Sequence, residues 1–299
     1  CFPSQANAGL ITQPCLSQER NLRMSETPLR ILVVGAHPDD CEITCGGTAA
    51  QYQQAGHIVK FVSVTNGESG HHEIFGDELV AIRRAEAQAA ADTIGIESEV
   101  LDFRDGRLEP SFEARCVLIR LIREFNPDLV LTHRPNDYHP DHRYTSQLVC
   151  DAAYMVTVPP VVPEVPALRD NPAIAYVADN FQKPAAFEPT VVVDIGSTIE
   201  SAVDMLHCHT SQFYGWLAYN HQYEDELPES DDGRRAFLGQ LFRKRIGGLA
   251  DRFRDELVAT YGEKRGREIQ WIEAFERCEY GRPWNDELIR KLFPFVPRA

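Results

Sequence analysis

The sequence has no long hydrophobic run and few basic residues, and each shortage excludes a class of function. No apolar stretch approaches the roughly 20 residues of a membrane-spanning helix, so we expect no transmembrane helix. Lysine and arginine together number 30 against 45 acidic residues, which leaves a net charge of -15 at pH 7. Binding to nucleic acid or to an anionic membrane surface requires clustered positive charge. We therefore expect neither as a partner.

The eight cysteines lack the spacing of a metal-binding or redox pair. They are scattered along the chain without a Cys-x-x-Cys motif, and several fall within apolar periodic stretches. This pattern is typical of reduced thiols in a protein core. It predicts a cytoplasmic protein without structural disulfides.

The N-terminal segment 1–28 shows neither strand nor helix periodicity. It begins with Cys1, is rich in glutamine, serine, asparagine and proline, and contains Met24 shortly before the first strand pattern. We interpret 1–28 as a disordered or extended segment outside the fold. A lipid-modified Cys1 that anchors the protein is the alternative interpretation.

Strand-like and helix-like patterns alternate through a predicted catalytic domain at 29–215. The strand-like runs are 30–36, 58–65, 98–103, 127–133, 173–178 and 190–195. The helix-like stretches are about 43–55, 79–94, 112–125 and 197–210. This alternation predicts an α/β fold with a Rossmann-like, mostly parallel sheet that has helices on both faces. A proline-rich stretch at 157–172 is predicted to be a long loop.

The last part of the chain, 216–299, has a different pattern. An acidic stretch at 220–235 is predicted to be an exposed loop. Helical periodicity follows at 236–262, with a break at Gly247-Gly248, and again at 267–279. We expect a helical C-terminal region that packs on the catalytic domain, and a homo-oligomer formed through it is one of its expected uses.

Two polar clusters follow two of the predicted strands. AHPDD (36–40) follows the first strand, and HRPNDYHPDH (133–142) follows the fourth. In the 3-2-1-4-5 order of a doubly wound sheet, strands 1 and 4 are neighbours at the switch point, where ligands bind. The sequence therefore predicts that both clusters line one crevice.

Histidine and aspartate in this arrangement indicate a divalent metal site. His37 and Asp40 are three residues apart at a strand-to-helix turn, and His142 can complete a set of three ligands. Three protein ligands with an open fourth position describe a catalytic zinc site, in which the metal activates a water molecule. Asp39 would then lie beside that water as general base. A helix N-cap is the alternative role for Asp40.

The same motifs resemble a known protein family. AHPDD and HPDH in this order, with several shorter elements, are similar to the PIG-L/LmbE family of zinc-dependent N-acetylglucosaminyl deacetylases. The shorter elements are TNGE (65–68), Arg83-x-x-Glu86, HTSQ (209–212) and WIEAF (271–275). A lysine that is common in the family shortly before H-x-S-Q does not occur in the corresponding stretch, ESAVDMLHCHTSQ.

The resemblance implies hydrolysis of the acetamide of an N-acetylglucosamine-type sugar conjugate to a free amine and acetate. The implied metal ligands are His37, Asp40 and His142. The metal would be Zn²⁺, with Fe²⁺ or another divalent ion as the alternative. Asp39 would deprotonate the water, His139 would stabilise the oxyanion, and Asp141 would orient the imidazole of His139.

Four further residues are predicted to contact the substrate. The resemblance implies this role for Arg83 and Asp105, while Asn66 and Glu68 lie on the loop after the second strand and could line the same crevice. Each of the first two also has a plain structural alternative. Arg83 could pair with Glu86 on a helix surface, and Asp105 could belong to an Asp-Gly turn.

Two other functions stay open at this point. A metal-dependent phosphoesterase with the same His/Asp set would need a basic pocket, and only Arg134 and Arg143 flank the second cluster. A non-catalytic nucleotide-binding module has less support, because the first strand-to-helix turn lacks the G-x-G-x-x-G motif.

Overall fold

A computed structural model describes residues 27–297 of the chain. The predictions of a disordered or extended segment at 1–28 and of a lipid-modified Cys1 concern residues that lie, except for the last two of the segment, outside this range. The strands of the described residues are Arg30–Gly35 (β1), Ile58–Thr65 (β2), Glu97–Phe103 (β3), Leu129–Thr132 (β4), Ala173–Val177 (β5), Val191–Asp194 (β6) and Ile272–Gly281 (β7).

The sequence pattern predicted the first three helices between the strands, but it did not predict the fourth of the described helices. The described helices are Asp40–Gln54 (α1), Asp77–Ile94 (α2), Phe112–Phe125 (α3), Pro140–Met155 (α4), Ile199–Cys208 (α5), Leu217–His221 (α6), Asp231–Arg252 (α7), Arg254–Tyr261 (α8), Glu263–Glu268 (α9) and Asp286–Leu292 (α10). A π-helix, Ser211–Trp216, precedes α6, and a 3-10 turn, Glu224–Glu226, follows it. Within residues 27–297, no helix has both the length and the apolar character needed to cross a membrane.

All of the described strands form one sheet in the order β3-β2-β1-β4-β5-β7-β6. Strands β1 to β5 pair in parallel, so the predicted 3-2-1-4-5 order and the Rossmann-like fold class are confirmed. Alternate side chains of β1 enter two separate cores. Ile31 packs in the core that contains Tyr52 of α1, whereas Leu32 packs in the core that contains Leu118 of α3. This two-sided burial explains why the strands appear in the sequence as continuous apolar runs.

The helix predicted at 267–279 is wrong, because residues 272–279 of this segment belong to strand β7. It pairs antiparallel with both β5 and β6 in the sheet. Its first four residues are all buried, and one of them is Glu273, so no polar-apolar alternation marks it as a strand. Apolar side chains also recur at a helix-like spacing of three, at Ile269, Ile272, Phe275 and Cys278. The sheet therefore takes strands from both sides of residue 215.

The break predicted at Gly247-Gly248 in the helix at 236–262 is also wrong. Helix α7 continues through Gly247-Gly248 to Arg252 and begins at Asp231, within the stretch predicted to be a loop. Leu238, Phe242 and Ile246 form a buried stripe along α7. A glycine costs a helix only about 1 kcal/mol, which such a stripe outweighs.

The proline-rich loop at 157–172 is confirmed as irregular structure and is held by one arginine. Arg123 of α3 is buried, and its guanidinium donates hydrogen bonds to backbone carbonyl groups around the loop. The acceptors are the carbonyl oxygens of Met155, Val156, Val158, Val161, Val162 and Val165. The described cysteines are all free thiols.

A buried carboxylate joins β7 to helix α1. Glu273 is 3% exposed, and its two carboxylate oxygens accept hydrogen bonds of 2.8 Å from the backbone N–H groups of Gly47 and Thr48. Burial raises the pKa of Glu273 to about 7. The ionised form of this side chain is therefore less favourable in the folded protein than in the unfolded chain.

This contact predicts a specific pH dependence of stability. Because the pKa of Glu273 is higher in the folded than in the unfolded state, the folded state binds more protons between pH 5 and pH 7. This group should therefore lower the free energy of unfolding by up to about 3 kcal/mol as the pH rises from 5 to 8. We expect Glu273→Gln to lose that part of the slope in urea denaturation at several pH values. Glu279→Gln, an exposed position on the same strand, is the control. Equal slopes for Glu273→Gln and the wild type would contradict the prediction.

Candidate active site

The two polar clusters meet at the carboxyl ends of β1 and β4. His37 and Asp40 follow β1, and His142 lies in the first turn of α4. Nε2 of His142 is 3.2 Å from Nδ1 of His37, although the two residues are more than a hundred positions apart in the sequence. The two polar clusters thus meet at the switch point of the sheet, as the sequence pattern predicted.

Three atoms of this group have the spacing of metal ligands. Nδ1 of His37 lies 3.3 Å from Oδ2 of Asp40, and Nε2 of His142 lies 3.5 Å from the same oxygen. With the 3.2 Å between the two nitrogens, the atoms form a nearly equilateral triangle. Tetrahedral zinc with ligand bonds near 2.0–2.1 Å holds its ligand atoms about 3.3 Å apart. The residues present therefore fit such a metal.

Neighbouring groups fix the orientation of each side chain in the triangle. Oδ2 of Asp40 accepts hydrogen bonds from the backbone N–H groups of Ala36 and His37, at 3.0 and 2.8 Å. Oδ1 of Asp137 lies 3.0 Å from Nδ1 of His142. Carboxylates placed behind metal-binding imidazoles hold the ring and its tautomer in the orientation that ligation needs.

Two acids that were given other roles from the sequence lie behind His37. Oδ1 of Asp105 is 3.2 Å from Nε2 of His37, and Oδ2 of Asp141 is 3.4 Å from the same nitrogen. The carboxylate of Asp141 also accepts hydrogen bonds from the N–H groups of Gly106 and Leu108. Asp141 was predicted to orient the imidazole of His139, but only its backbone N–H group donates to Nδ1 of His139. Its carboxylate is directed to His37 because the loop after β3 supplies two amide donors there.

The charges of the group favour an ionised Asp40. Burial alone would raise the pKa of Asp40, but the imidazoles of His142 and His133 hold it well below its usual range. Burial would likewise lower the pKa of His37, and the carboxylates of Asp105, Asp141 and Asp40 raise it instead. The triangle thus contains a carboxylate ready to bind a cation.

Asp39 lies beside the triangle in an unusual backbone conformation. Its φ of 139° falls in a region that residues with a side chain rarely adopt. Oδ2 of Asp39 is 3.2 Å from Nη2 of Arg83. Burial raises the pKa of Asp39 to about 6, against the opposing effect of Arg83. A carboxylate with a pKa in this range suits a general base near neutral pH.

His139 and His133 border the group from the side of β4 and α4. His139 is the N-cap residue of α4, and its ring centroid lies 4.6 Å from that of His37. Sequence reasoning gave no role to His133, whose Nε2 lies 3.2 Å from Oδ2 of Asp40 and accepts from the N–H group of Ala36. Its position directly after β4 was the available signal. Burial lowers the pKa of His133, against the opposing effect of Asp40.

The remaining predicted substrate contacts lie on the loops after β2 and β3. The side chains of Asn66 and Glu68 hydrogen-bond each other, with 3.2 Å between Nδ2 and Oε2. Glu68 also forms an ion pair with Arg104. Arg83 does not pair with Glu86, which instead accepts hydrogen bonds from Thr210 and Ser211 of the HTSQ element. That element thereby joins α2 to the start of the π-helix.

The Rossmann-like sheet thus carries two histidines and one aspartate at its carboxyl edge with a buried carboxylate beside them, an arrangement that suits a candidate metal-dependent active site. Residues 32–153 match the family model PIG-L, GlcNAc-PI de-N-acetylase. A diacetylchitobiose deacetylase from Thermococcus kodakarensis is 30% identical over 194 residues, which cover 62% of this chain and 70% of the relative. A 1D-myo-inositol 2-acetamido-2-deoxy-alpha-D-glucopyranoside deacetylase from Mycolicibacterium gilvum is 30% identical over 246 residues, 70% of this chain and 84% of the relative.

Solved structures show the same fold. N,N'-diacetylchitobiose deacetylase from Pyrococcus horikoshii superposes with a TM-score of 0.64 at 24% identity, over 83% of each chain. The 4-carboxy-2-hydroxymuconate hydratase from Pseudomonas putida KT2440 superposes with a TM-score of 0.66 at 19% identity, over 86% of this chain and 99% of that one. The fold therefore does not by itself set the reaction. The sequence matches do set the family: the chain belongs to the PIG-L family of deacetylases, and the resemblance of its motifs is confirmed.

Proposed function

We propose that the protein is a metal-dependent deacetylase that removes the acetyl group from the amine of an N-acetylglucosamine-type sugar conjugate. The triangle of His37, Asp40 and His142, with Asp39 beside it, is the observation that carries this proposal. The names of the sequence relatives, which act on diacetylchitobiose and on an acetamido-glucopyranoside of inositol, support the same substrate class.

His37, Asp40 and His142 would hold Zn²⁺, with Fe²⁺ as the alternative. When bound, the ion supplies Lewis acidity that polarises the amide carbonyl and makes water more acidic. Asp39 takes the proton of the attacking water and then delivers it to the leaving nitrogen. His139, half-buried at the start of α4, stabilises the developing oxyanion of the acetyl group.

The sugar is proposed to lie against the loops after β2 and β3, which carry Asn66, Glu68 and Asp105. Their carboxylates and amide provide acceptors and donors for sugar hydroxyl groups. A homo-oligomer formed through the C-terminal region and a cytoplasmic location stay predictions from the sequence.

The structure disfavours a phosphoesterase, because the two arginines near the second cluster are engaged elsewhere. Arg134 pairs with Asp179 and Glu276, at 3.1 and 3.0 Å. Arg143 donates to the backbone carbonyl groups of Asp137 and Tyr138. Neither is placed to form the basic pocket that a phosphate ester would need.

Metal analysis combined with a substrate panel tests the proposal. We expect the purified protein to bind one divalent ion and to release amine from N,N'-diacetylchitobiose, from an N-acetylglucosaminyl inositol, or from both. EDTA should abolish the release, and added Zn²⁺ or Fe²⁺ should restore it. Phosphate release from p-nitrophenyl phosphate by metal-loaded protein that liberates no amine would favour the phosphoesterase instead.

A further inference from the structure

Two cysteines from distant parts of the chain share one tyrosine in the core between the sheet and helix α4. Cys150 lies on α4, Cys278 on β7 and Tyr176 on β5. The hydroxyl oxygen of Tyr176 is 3.3 Å from Sγ of Cys150 and 3.1 Å from Sγ of Cys278. Strand β7 lies next to β5, and α4 packs against β7, so the fold brings the two thiols together.

The sulfur of Cys278 is surrounded by hydrogen-bond donors. Besides the hydroxyl group of Tyr176, the backbone N–H group of Tyr280 lies 3.4 Å from Sγ. Hydrogen bonds from the thiol of Cys150, the hydroxyl group of Tyr176 and this N–H group lower the pKa of Cys278 to about 7, against the opposing effect of burial. The contact with Cys278 raises the pKa of Cys150. Because the thiolate is the reactive form of cysteine, Cys278 is the nucleophile of the pair.

A cavity of about 430 Å³ adjoins this sulfur. Tyr176 and Tyr280, whose hydroxyl and N–H groups contact Sγ of Cys278, both line it. Among the described residues, its charged lining consists of Glu188, Glu276, Glu279 and Arg277. Acidic side chains therefore predominate, and they favour the approach of a neutral reagent over that of an anion.

We propose that Cys278 and Cys150 form a redox site, in which hydrogen peroxide oxidises Cys278 and Cys150 converts the product to a disulfide. The thiolate of Cys278 attacks one oxygen of the peroxide, the O–O bond breaks, and a sulfenic acid and a hydroxide ion form. The hydroxide ion takes a proton from solvent. The thiol of Cys150 then attacks the sulfur of the sulfenic acid, the S–O bond breaks, and the hydroxyl group leaves as water with the thiol proton. Two thiols are thus oxidised to one disulfide, and the peroxide is reduced to two water molecules.

The redox site is separate from the proposed metal site. Cys150 lies about 12 Å further along α4 than His142, which is the rise of eight helical residues. The hydroxyl group of Tyr176 has a defined part in the redox chemistry, because it stabilises the thiolate of Cys278 by a hydrogen bond. The inference does not depend on the deacetylase activity.

Peptide mass spectrometry of the full chain tests the proposal. Reduced protein is treated with a few equivalents of hydrogen peroxide at pH 7, blocked with iodoacetamide in urea and digested without reductant. We expect two peptides joined through Cys150 and Cys278, two hydrogen masses lighter than their sum and separated by dithiothreitol. Peroxide that leaves both residues open to iodoacetamide, or that joins either one to a different cysteine, would overturn the proposal.

Serine variants distinguish the roles of the two cysteines. In Cys150→Ser, the sulfenic acid of Cys278 has no partner and should be trapped by dimedone. In Cys278→Ser, Cys150 should stay a thiol and take up no dimedone. Cys116→Ser, which removes a half-buried thiol of α3, is the control and should form the disulfide at the wild-type rate. Dimedone labelling of Cys150 in Cys278→Ser as fast as that of Cys278 in Cys150→Ser would overturn the assignment of roles.

Tyr176→Phe tests the hydroxyl group between the two sulfur atoms. In the Cys150→Ser background it should slow the labelling of Cys278 by about tenfold, because a hydrogen bond to the thiolate is lost. Tyr280→Phe is the matched control, since it keeps the backbone N–H group that contacts Sγ, and it should leave the rate unchanged. Equal rates in the two variants would overturn the role of Tyr176.

Glutathione disulfide distinguishes a neutral oxidant from an anionic one. Hydrogen peroxide should oxidise Cys278 at least about tenfold faster than Cys116, and glutathione disulfide, a dianion at pH 7, should lose this preference at the acidic lining. The ratio of the two cysteines corrects for the different intrinsic reactivity of the two reagents. The same preference with glutathione disulfide would overturn the assignment of a neutral peroxide as the oxidant.

Discussion

Replacing Asp39 by alanine should lower deacetylation by about 10²–10⁴-fold and leave the metal in place. Among the described residues, Asp39 is the acid beside the triangle whose carboxylate forms an ion pair with Arg83. This carboxylate does not hold the imidazole of either proposed histidine ligand. Its pKa, which burial raises to about 6, leaves it mostly ionised at pH 7 and still basic enough to accept a proton from water. Amine release and metal content, measured on the same preparation, check both halves of this prediction.

The choice of control decides how this result is interpreted. Asp102→Ala removes an aspartate whose side chain is 93% exposed on β3, and it should change neither activity nor metal content. Asp39→Asn keeps the size and shape of the side chain without the base and should be as inactive as Asp39→Ala. Retained turnover in either Asp39 variant would exclude it as the general base. Loss of the metal would show that Asp39 is itself a ligand.

The sequence predicted the part of the site that depends on strand order. Buried parallel strands appear as apolar runs, so β1 and β4 could be located, and their carboxyl ends carry His37 and His142. Once the order of the strands is known, the convergence of these two residues follows from topology alone. No side-chain geometry was needed for that step.

Side-chain partners could not be predicted in the same way. The spacing of Arg83 and Glu86 on α2 suggested a pair on the helix surface. Both are buried, however, and tertiary contacts direct Arg83 to the AHPDD turn and Glu86 to the HTSQ element. The partner of Asp141 was predicted wrongly for the same reason, since the amide groups that bind its carboxylate come from the loop after β3.

Strand β7 marks a different limit of sequence reasoning. The first four residues of β7 are all buried and show no alternation, and Glu273 among them contradicts any simple apolar pattern. Helix α1 explains why this acid can be buried, because the N–H groups of Gly47 and Thr48 donate hydrogen bonds to its carboxylate. The helix that begins at the AHPDD turn is thus held by a residue from the C-terminal part of the chain.

Replacing His37 by alanine should cost the protein its metal. His37 contributes one corner of the triangle, and the carboxylates of Asp105 and Asp141 lie behind the same imidazole. Removing a residue that supports a ligand typically lowers metal affinity by 10–100-fold, so the loss of the ligand itself should cost at least about 100-fold. Competition with a chromophoric zinc chelator measures this change, and circular dichroism confirms that the variant is folded.

Asp137→Ala provides the graded comparison for His37→Ala. Asp137 lies 3.0 Å from Nδ1 of His142 but takes no corner of the triangle, so its removal should weaken zinc binding by about 10–100-fold without abolishing it. The expected order of zinc affinity is therefore Asp39→Ala close to the wild type, Asp137→Ala lower, and His37→Ala lowest. Wild-type affinity in folded His37→Ala would place the metal on other members of the group, such as His133 with Asp40 and His142. The assignment of His37 as a metal ligand would then be wrong.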